Sequence, residues 1–196
     1  AEIFNARDAQ LRGHFALPAR LAESMRTDDA LAPAFENRLS PQRCIPVEII
    51  PAKAARGLSI AAEAQALFGQ SGVAISPDTV ASIHACLVNH DAAFAVCTPV
   101  PRADGSRIDV TVSAFPIEHV RWDNMDRCFK ARIDPETASP EEMSAGGEVT
   151  ITHGDGRWVV FQRYEIDPFK HGAILAAAMV WARHAYAIRD RAKSSV

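Results

Sequence analysis

Residues 148–166 read EVTITHGDGRWVVFQRYEI, and this stretch decides the fold class. Glu148–His153 and Arg157–Ile166 carry a side-chain period of two, with Trp158, Val160 and Gln162 alternating against Val159, Phe161 and Arg163. Between them stands Gly154-Asp155-Gly156, where glycine supplies the positive φ that a tight turn requires. The pattern predicts a β-hairpin, ended by Asp167-Pro168. Upstream, Phe94–Thr98 and Arg107–Phe115 flank Ala103-Asp104-Gly105-Ser106, which predicts another hairpin, and Asp126–Ile133 reads as a further strand. Downstream the period changes to that of a helix over 172–193. Ile174, Ala178, Trp181, Ala185 and Ile188 form one stripe, with Leu175, Met179, Ala182 and Tyr186 beside it. Arg183, Arg189, Arg191 and Lys193 give this helix a basic end, which suits a helix C-terminus.

The residues before the strands read as helices. Residues 1–30 show Leu11, Phe15 and Leu21–Met25 at apolar positions, with Pro18 as an interruption. Asp28–Arg43 continues with Leu31, Phe35 and Leu39 and stops at Ser40-Pro41. Ile45–Pro51 is bounded by prolines and predicts a short edge strand. Ser59–Phe68 is Ala-rich, with Ser59 as its expected cap and Gly69 as its expected stop. Ser76-Pro77-Asp78-Thr79 is the strongest start signal: a capping hydroxyl, a proline at the first helical position and an acid in the first turn. Val80, Ile83, Leu87 and Val88 form the stripe that follows, ending near Asn89–Asp91. The expectation is an α+β fold: a helical N-terminal part, a small antiparallel sheet with two hairpins, and a long C-terminal helix.

Composition bounds the class. The chain has 196 residues, 48% apolar and 23% charged, with a net charge of −3. That describes a globular chain of one domain, or one and a half. The longest strongly apolar run, Ala173–Ala182, is half of the roughly 20 residues a membrane span needs. No bulk basic signature of a nucleic-acid binder and no basic segment leading an apolar one are visible. Cys44, Cys86, Cys97 and Cys128 form no C-x-x-C pair and read as free thiols of a reducing compartment, mostly buried as small hydrophobes. Residues 134–155 hold six acids and no Lys or Arg, which predicts a solvated loop.

Chemistry-bearing constellations are sparse. Cys86 and His90 stand four apart on a predicted helix, but a zinc site needs three or four ligands. Cys97, His119 and Asp109 could be a nucleophile, base and orienter. No nucleophile elbow, H-E-x-x-H, P-loop or G-x-G-x-x-G is present. Trp158 and Trp181, in a strand and an apolar helix, read as core. No catalytic residue, metal or cofactor is assigned, and the chain is read as non-enzymatic.

A longer-range resemblance covers most of the chain. Phe115-Pro116-Ile117-Glu118-His119-Val120-Arg121-Trp122-Asp123 is followed by Thr152–Phe161, then by Pro168-Phe169-Lys170-His171-Gly172-Ala173-Ile174-Leu175, and then by a helix through Trp181-Ala182 and Ile188-Arg189-Asp190. Upstream, Arg26–Leu31, Arg38 and Val47–Pro51 give a helix leading to a short strand. This order resembles the portal proteins of tailed bacteriophages, particularly the Mu-like group. The resemblance implies a wing-like α/β region over 1–75, a stem-like helix over 76–91, a clip-like β region over 92–170 and a second stem-like helix over 172–196. Portal proteins are about twice this length, so the resemblance also implies that the chain is a fragment.

The implied function is that of a structural subunit of a portal ring at the capsid vertex. Such a ring, of twelve copies by the resemblance, forms the channel for DNA packaging and ejection. Implied partners are further copies of the chain, the head–tail adaptor, the terminase, the major capsid protein and double-stranded DNA, and no membrane. The implied location is the virion, after assembly in the host cytoplasm. Ile174, Ala178, Trp181, Ala185 and Ile188 are the expected oligomer interface, and Arg189, Arg191 and Lys193 the expected contacts to DNA or a neighbouring subunit. The alternatives are a non-catalytic α+β binding or oligomerisation module and, last, a small Cys/His enzyme.

Overall fold

A computed structural model describes residues 2–29, 32–40, 49–53, 56–68, 74–101, 108–134, 146–163 and 169–194. The fold is α+β, with two antiparallel sheets of three strands each. The helices are α1 (Glu2–Leu11), α2 (Ala16–Arg26), α3 (Ala32–Leu39), α4 (Gly57–Phe68), α5 (Pro77–His90) and α6 (Ala173–Ser194). The strands are β1 (Ala92–Pro101), β2 (Ile108–Phe115), β3 (Val120–Asp123), β4 (Cys128–Arg132), β5 (Glu148–Ile151) and β6 (Trp158–Gln162). The first sheet has the order β2-β1-β6 and the second β3-β4-β5.

The hairpin expected from 94–115 forms as β1 and β2, with Phe94 opposite Phe115 and Pro101 opposite Ile108. Its connecting turn lies outside the described residues. β1 runs three residues past the expected end, through Pro99 and Pro101. The register explains why prolines are tolerated there. Cys97 N–H donates to the Arg157 carbonyl (2.7 Å), so odd-numbered residues of β1 face β6. β6 ends its pairing at Val96, and Pro99 and Pro101 therefore stand where no neighbouring strand needs an N–H.

The hairpin expected around Gly154-Asp155-Gly156 does not form. β5 pairs with β4, whereas β6 pairs with β1, so the two strands belong to different sheets. The turn itself is real: Gly154 and Gly156 have φ of 80° and 90°. Asp155 Oδ1 accepts from the backbone N–H of Arg157 and of Trp158, both at 2.8 Å. These local bonds redirect the chain from one sheet to the other. A second hairpin does exist, between β3 and β4, with Asp123 opposite Cys128. Periodicity gave no signal for β3, which is only four residues long.

The core lies between the sheets. Trp122, Phe129 and Ile151 share one face of the second sheet, as do Val120, Ala131 and Val149 in the next row. That face meets Phe94 and Trp158 of the first sheet. Phe94 and Phe129 pack edge to face at 4.9 Å, and Trp122 meets Phe129 at 4.8 Å. Such pairs add about 0.5–1.5 kcal/mol each beyond simple burial. The opposite face of β1, through Ala93 and Ala95, is covered by α5 through Ile83, Cys86 and Leu87. The first half of β1 is thus buried on both faces, which is why Ala92–Ala95 is a continuous apolar run.

Helices α1 and α2 close one end. The expected helix over 1–30 breaks at Gly13-His14, not at Pro18, which sits in the first turn of α2 where no N–H is required. Gly13 has φ of 77°, and a Cβ there would collide with Trp122. Its carbonyl accepts from the Trp122 N–H (2.8 Å), and His14 bridges to Arg121, so this corner covers the free edge of β3. Phe15 follows directly and is wholly buried against Phe129, Phe169 and His90.

Two expectations upstream are corrected. α4 begins at Gly57, so Ser59 lies inside its first turn and donates to the Arg56 carbonyl (3.0 Å) instead of capping. Gly69 lies outside the described residues. The expected strand over 45–51 falls outside them through residue 48, and 49–53 have no regular structure. The Ile49 N–H instead donates to Gln65 Oε1 of α4 (2.7 Å). The Ser76 cap is as read: its Oγ accepts from the Thr79 N–H (3.0 Å). No helix among the described residues is long and apolar enough to cross a membrane.

Candidate functional site

β5 and β6 diverge from the 154–156 turn, and the space between them is a cleft of about 1010 Å³. Trp122, Arg127, Cys128, Thr152, His153 and Gln162 give it its character. The β3–β4 hairpin supplies three of these, Trp122, Arg127 and Cys128. Asp123 Oδ1 accepts from the N–H groups of Met125 (3.0 Å) and Asp126 (3.2 Å), folding the loop back on itself. Arg127 then closes the turn with φ of 49°, a conformation usually left to glycine or asparagine. His153 is fixed by accepting, at Nδ1, the N–H of Val160 (3.1 Å).

Ion pairs on the outer face of the second sheet hold the loop and strands in place. Arg121 grips Glu148 with two bonds, Nε–Oε1 at 2.9 Å and Nη2–Oε2 at 2.8 Å, and reaches Asp123 at 3.2 Å. Lys130 pairs with Asp126 (2.6 Å) and Asp123 (2.9 Å). The Lys130 bond holds the Asp123 carboxyl well below its ordinary range, and the Asp126 and Asp123 carboxylates raise the Lys130 ammonium. The alternation of charge lets Arg121 and Lys130 sit directly opposite one another in register.

A second polar cluster is buried where α1, α5 and the start of α6 converge. Gln10 is fully buried, and its Nε2 donates to the carbonyls of His90 (3.2 Å) and Phe169 (2.9 Å). Its Oε1 meets His90 Nδ1 at 2.9 Å. Burial lowers the His90 imidazole to about 4, so the ring is neutral, and Nδ1 carries the proton it donates to Gln10. Asp91 follows with φ of 61° and no solvent exposure. Among the described residues neither carboxylate oxygen finds a well-formed hydrogen bond. Burial therefore pushes this carboxyl up, moderated by the nearby His171 N–H and the charges of Arg163 and His171. Gly172 presses so closely on the Asn89 carbonyl that no side chain would fit there.

The other candidates read from the sequence do not gather. Among the described residues no group of three or more His, Cys, Asp or Glu could hold a metal ion. Cys86 donates its Sγ–H to the Ala92 carbonyl (3.4 Å), and burial pushes its thiol up to about 12, which leaves it a poor nucleophile. His90 turns to Gln10 instead of joining Cys86. Cys97 pairs with Val112, His119 rests against the Phe115 ring, and the Asp109 side chain lies outside the described residues. Cys86, Cys97 and Cys128 are free thiols, as read, and each is partly buried, while Cys44 lies outside the described residues. Trp158 is core, as read.

Of the expected oligomer stripe, Ile174 is buried within the subunit against Ala22 and Met25. The side chains of Ala178, Trp181, Ala185 and Ile188, like those of Arg189, Arg191 and Lys193, lie outside the described residues. The outward side of α6 carries Val180, 66% exposed, and Tyr186, 50% exposed. From Arg183 on, every described side chain of α6 is exposed. α4 likewise presents Leu58, 78% exposed, and Ile60, 62% exposed. Sequence reading missed Arg127 and Asp91, because each takes a glycine-like backbone position without being glycine. The signal that could have found the loop is Asp123-Asn124, a turn-forming pair after the alternating Val120-Arg121-Trp122.

Comparison with known proteins finds no matching family model and no matching curated relative.

Proposed function

We propose that the chain is a structural, non-catalytic subunit of a portal-like ring, in which copies assemble around a channel for double-stranded DNA. One observation carries this reading: two separate helices, α4 and α6, each leave two large apolar side chains at least half exposed. A closed ring joins unlike surfaces head to tail, so each subunit needs two different patches. Leu58 and Ile60 on α4, and Val180 and Tyr186 on α6, are the exposed apolar side chains that such surfaces would draw on. Isolated exposed apolar residues are ordinary, so what supports the reading is that these fall on two different helices. Beyond Ala182 the described side chains of α6, those of Arg183, His184, Tyr186 and Ala187, are all exposed, which suits a stem helix.

The near-balanced charge, −3 over the chain, fits a channel that lets DNA slide, since strong phosphate neutralisation would make it grip. The head–tail adaptor, terminase and major capsid protein are the partners of such a ring, and the virion vertex its place. The test is particle mass by mass photometry, followed by negative-stain imaging of the full chain. A ring with a central hole supports the reading, and a monomer at all concentrations refutes it. A second reading, a non-catalytic binding module, is favoured by the open cleft between β5 and β6.

A further inference from the structure

β5 and β6 are edge strands of different sheets, and their register fixes which backbone groups they turn outward. Cys97 N–H donates to the Arg157 carbonyl, and Arg163 N–H to the Asp91 carbonyl (3.1 Å). Residues 157, 159, 161 and 163 therefore face β1, and Trp158, Val160 and Gln162 direct their N–H and C=O groups away from it. On β5, the Ile133 N–H donates to the Gly147 carbonyl (2.9 Å), so Glu148, Thr150 and Thr152 face away from β4. Near the turn the outward groups of β6 are satisfied locally. Asp155 takes the Trp158 N–H, His153 takes the Val160 N–H, and the Trp158 carbonyl accepts from Gly154 (3.2 Å). Farther along, the edges part, and among the described residues no strand meets either of them.

Two facing edges separated by a cleft are a template for an extended chain, because backbone polar groups in a half-enclosed space need partners. The cleft, about 1010 Å³, is at the top of the range for ligand sites, roughly 300–1,000 Å³. Its charge selects the guest. The chain has 24 acids against 21 Lys and Arg, yet the described lining contains no acid and one cation, Arg127. Arg127 is kept at the cleft on a left-handed backbone that is unfavourable for a non-glycine residue. Strain of this kind is retained where a side chain serves a site.

We propose that the cleft between β5 and β6 binds an extended acidic polypeptide segment, which adds as a strand to Thr150–Thr152 on one side and Val160–Gln162 on the other, with Arg127 pairing an acidic side chain of the guest. This is β-strand addition, with the main chain giving affinity and Arg127 giving selectivity. It goes beyond ring assembly and does not depend on it.

The probe is a fluorescein-labelled heptapeptide of alternating glutamate and valine, titrated with the full chain and followed by anisotropy. A lysine–valine peptide is the control. The glutamate peptide is expected to saturate and to bind at least ~10-fold more tightly than the control. Arg127→Gly relaxes the turn, so it is expected to keep or raise the Tm while weakening the glutamate peptide ~10-fold. Gln162→Pro, which removes an outward N–H and spares the β1 ladder, is expected to weaken it as well. Equal binding of both peptides, no binding, or full binding by Arg127→Gly overturns the proposal. So does hydrogen exchange showing the Gln162 amide already protected in the free protein, since the edges would then be closed on each other.

Discussion

At the scale of single residues, Asp91 and His90 show opposite responses to the same burial. Asp91 ionises with difficulty because water is excluded and its oxygens lack good donors. Its folded value lies above the ordinary 3.8, so the destabilisation is absent below that pH and grows as pH rises through the folded value. Asp91→Asn keeps a side chain that tolerates the left-handed backbone and removes the charge. The variant is expected to raise the Tm at pH 7 by a few degrees, about 1 kcal/mol, and to lose that gain below pH 3.8. Thermal melts across pH check this, and an unchanged or lower Tm at pH 7 would contradict it. His90 is lowered from 6.5 to about 4, so the unfolded chain takes up its proton first. Its contribution is full above pH 6.5 and declines as pH falls toward 4. Gln10→Leu strips His90 Nδ1 and two buried carbonyls of their partner. Urea denaturation at pH 7 should show a loss of about 2–3 kcal/mol, and a loss below 0.5 kcal/mol would mean the carbonyls find other donors.

At the scale of elements, joints decide more than strands do. The α1–α2 corner meets β3 only because Gly13 has no side chain and adopts positive φ. Gly13→Ala is expected to cost about 2–3 kcal/mol by denaturant unfolding, from backbone strain and the clash with Trp122 together. A change within 0.5 kcal/mol would show that this corner is not fixed. The same distinction explains what could be read from the sequence. The Ser76 cap, the β1–β2 pairing and the turn at Gly154–Gly156 rest on chemistry local in sequence, and they were legible. Alternation placed β5 and β6 correctly as strands, but it records only which residues face the core. It says nothing of which edge a strand joins, so the expected hairpin proved to be two strands of two sheets. Asp91 was illegible because its left-handed conformation lies in a fully buried joint, and Arg127 because a left-handed residue that is not glycine or asparagine carries no composition signal. The Cys86–His90 spacing was visible, but Gln10, eighty residues from His90, determines what the imidazole bonds to.

At the scale of the whole molecule, one apolar cluster lies between the sheets, another joins α5 to the first sheet and a third joins the start of α6 to α2, while Leu58 and Ile60 of α4 and Val180 and Tyr186 of α6 face solvent. The proposed ring uses those two surfaces, so Val180→Glu with Tyr186→Glu should leave the circular dichroism melt unchanged and abolish assembly. Assembly that survives the pair would place the interface elsewhere. The measurement that bears most directly on the account is the native mass of the full chain by mass photometry, with negative-stain images of the same sample. The account predicts particles many times the 21.3 kDa of one chain, closed and with a central hole. A uniform 21.3 kDa species across the concentration range would contradict it.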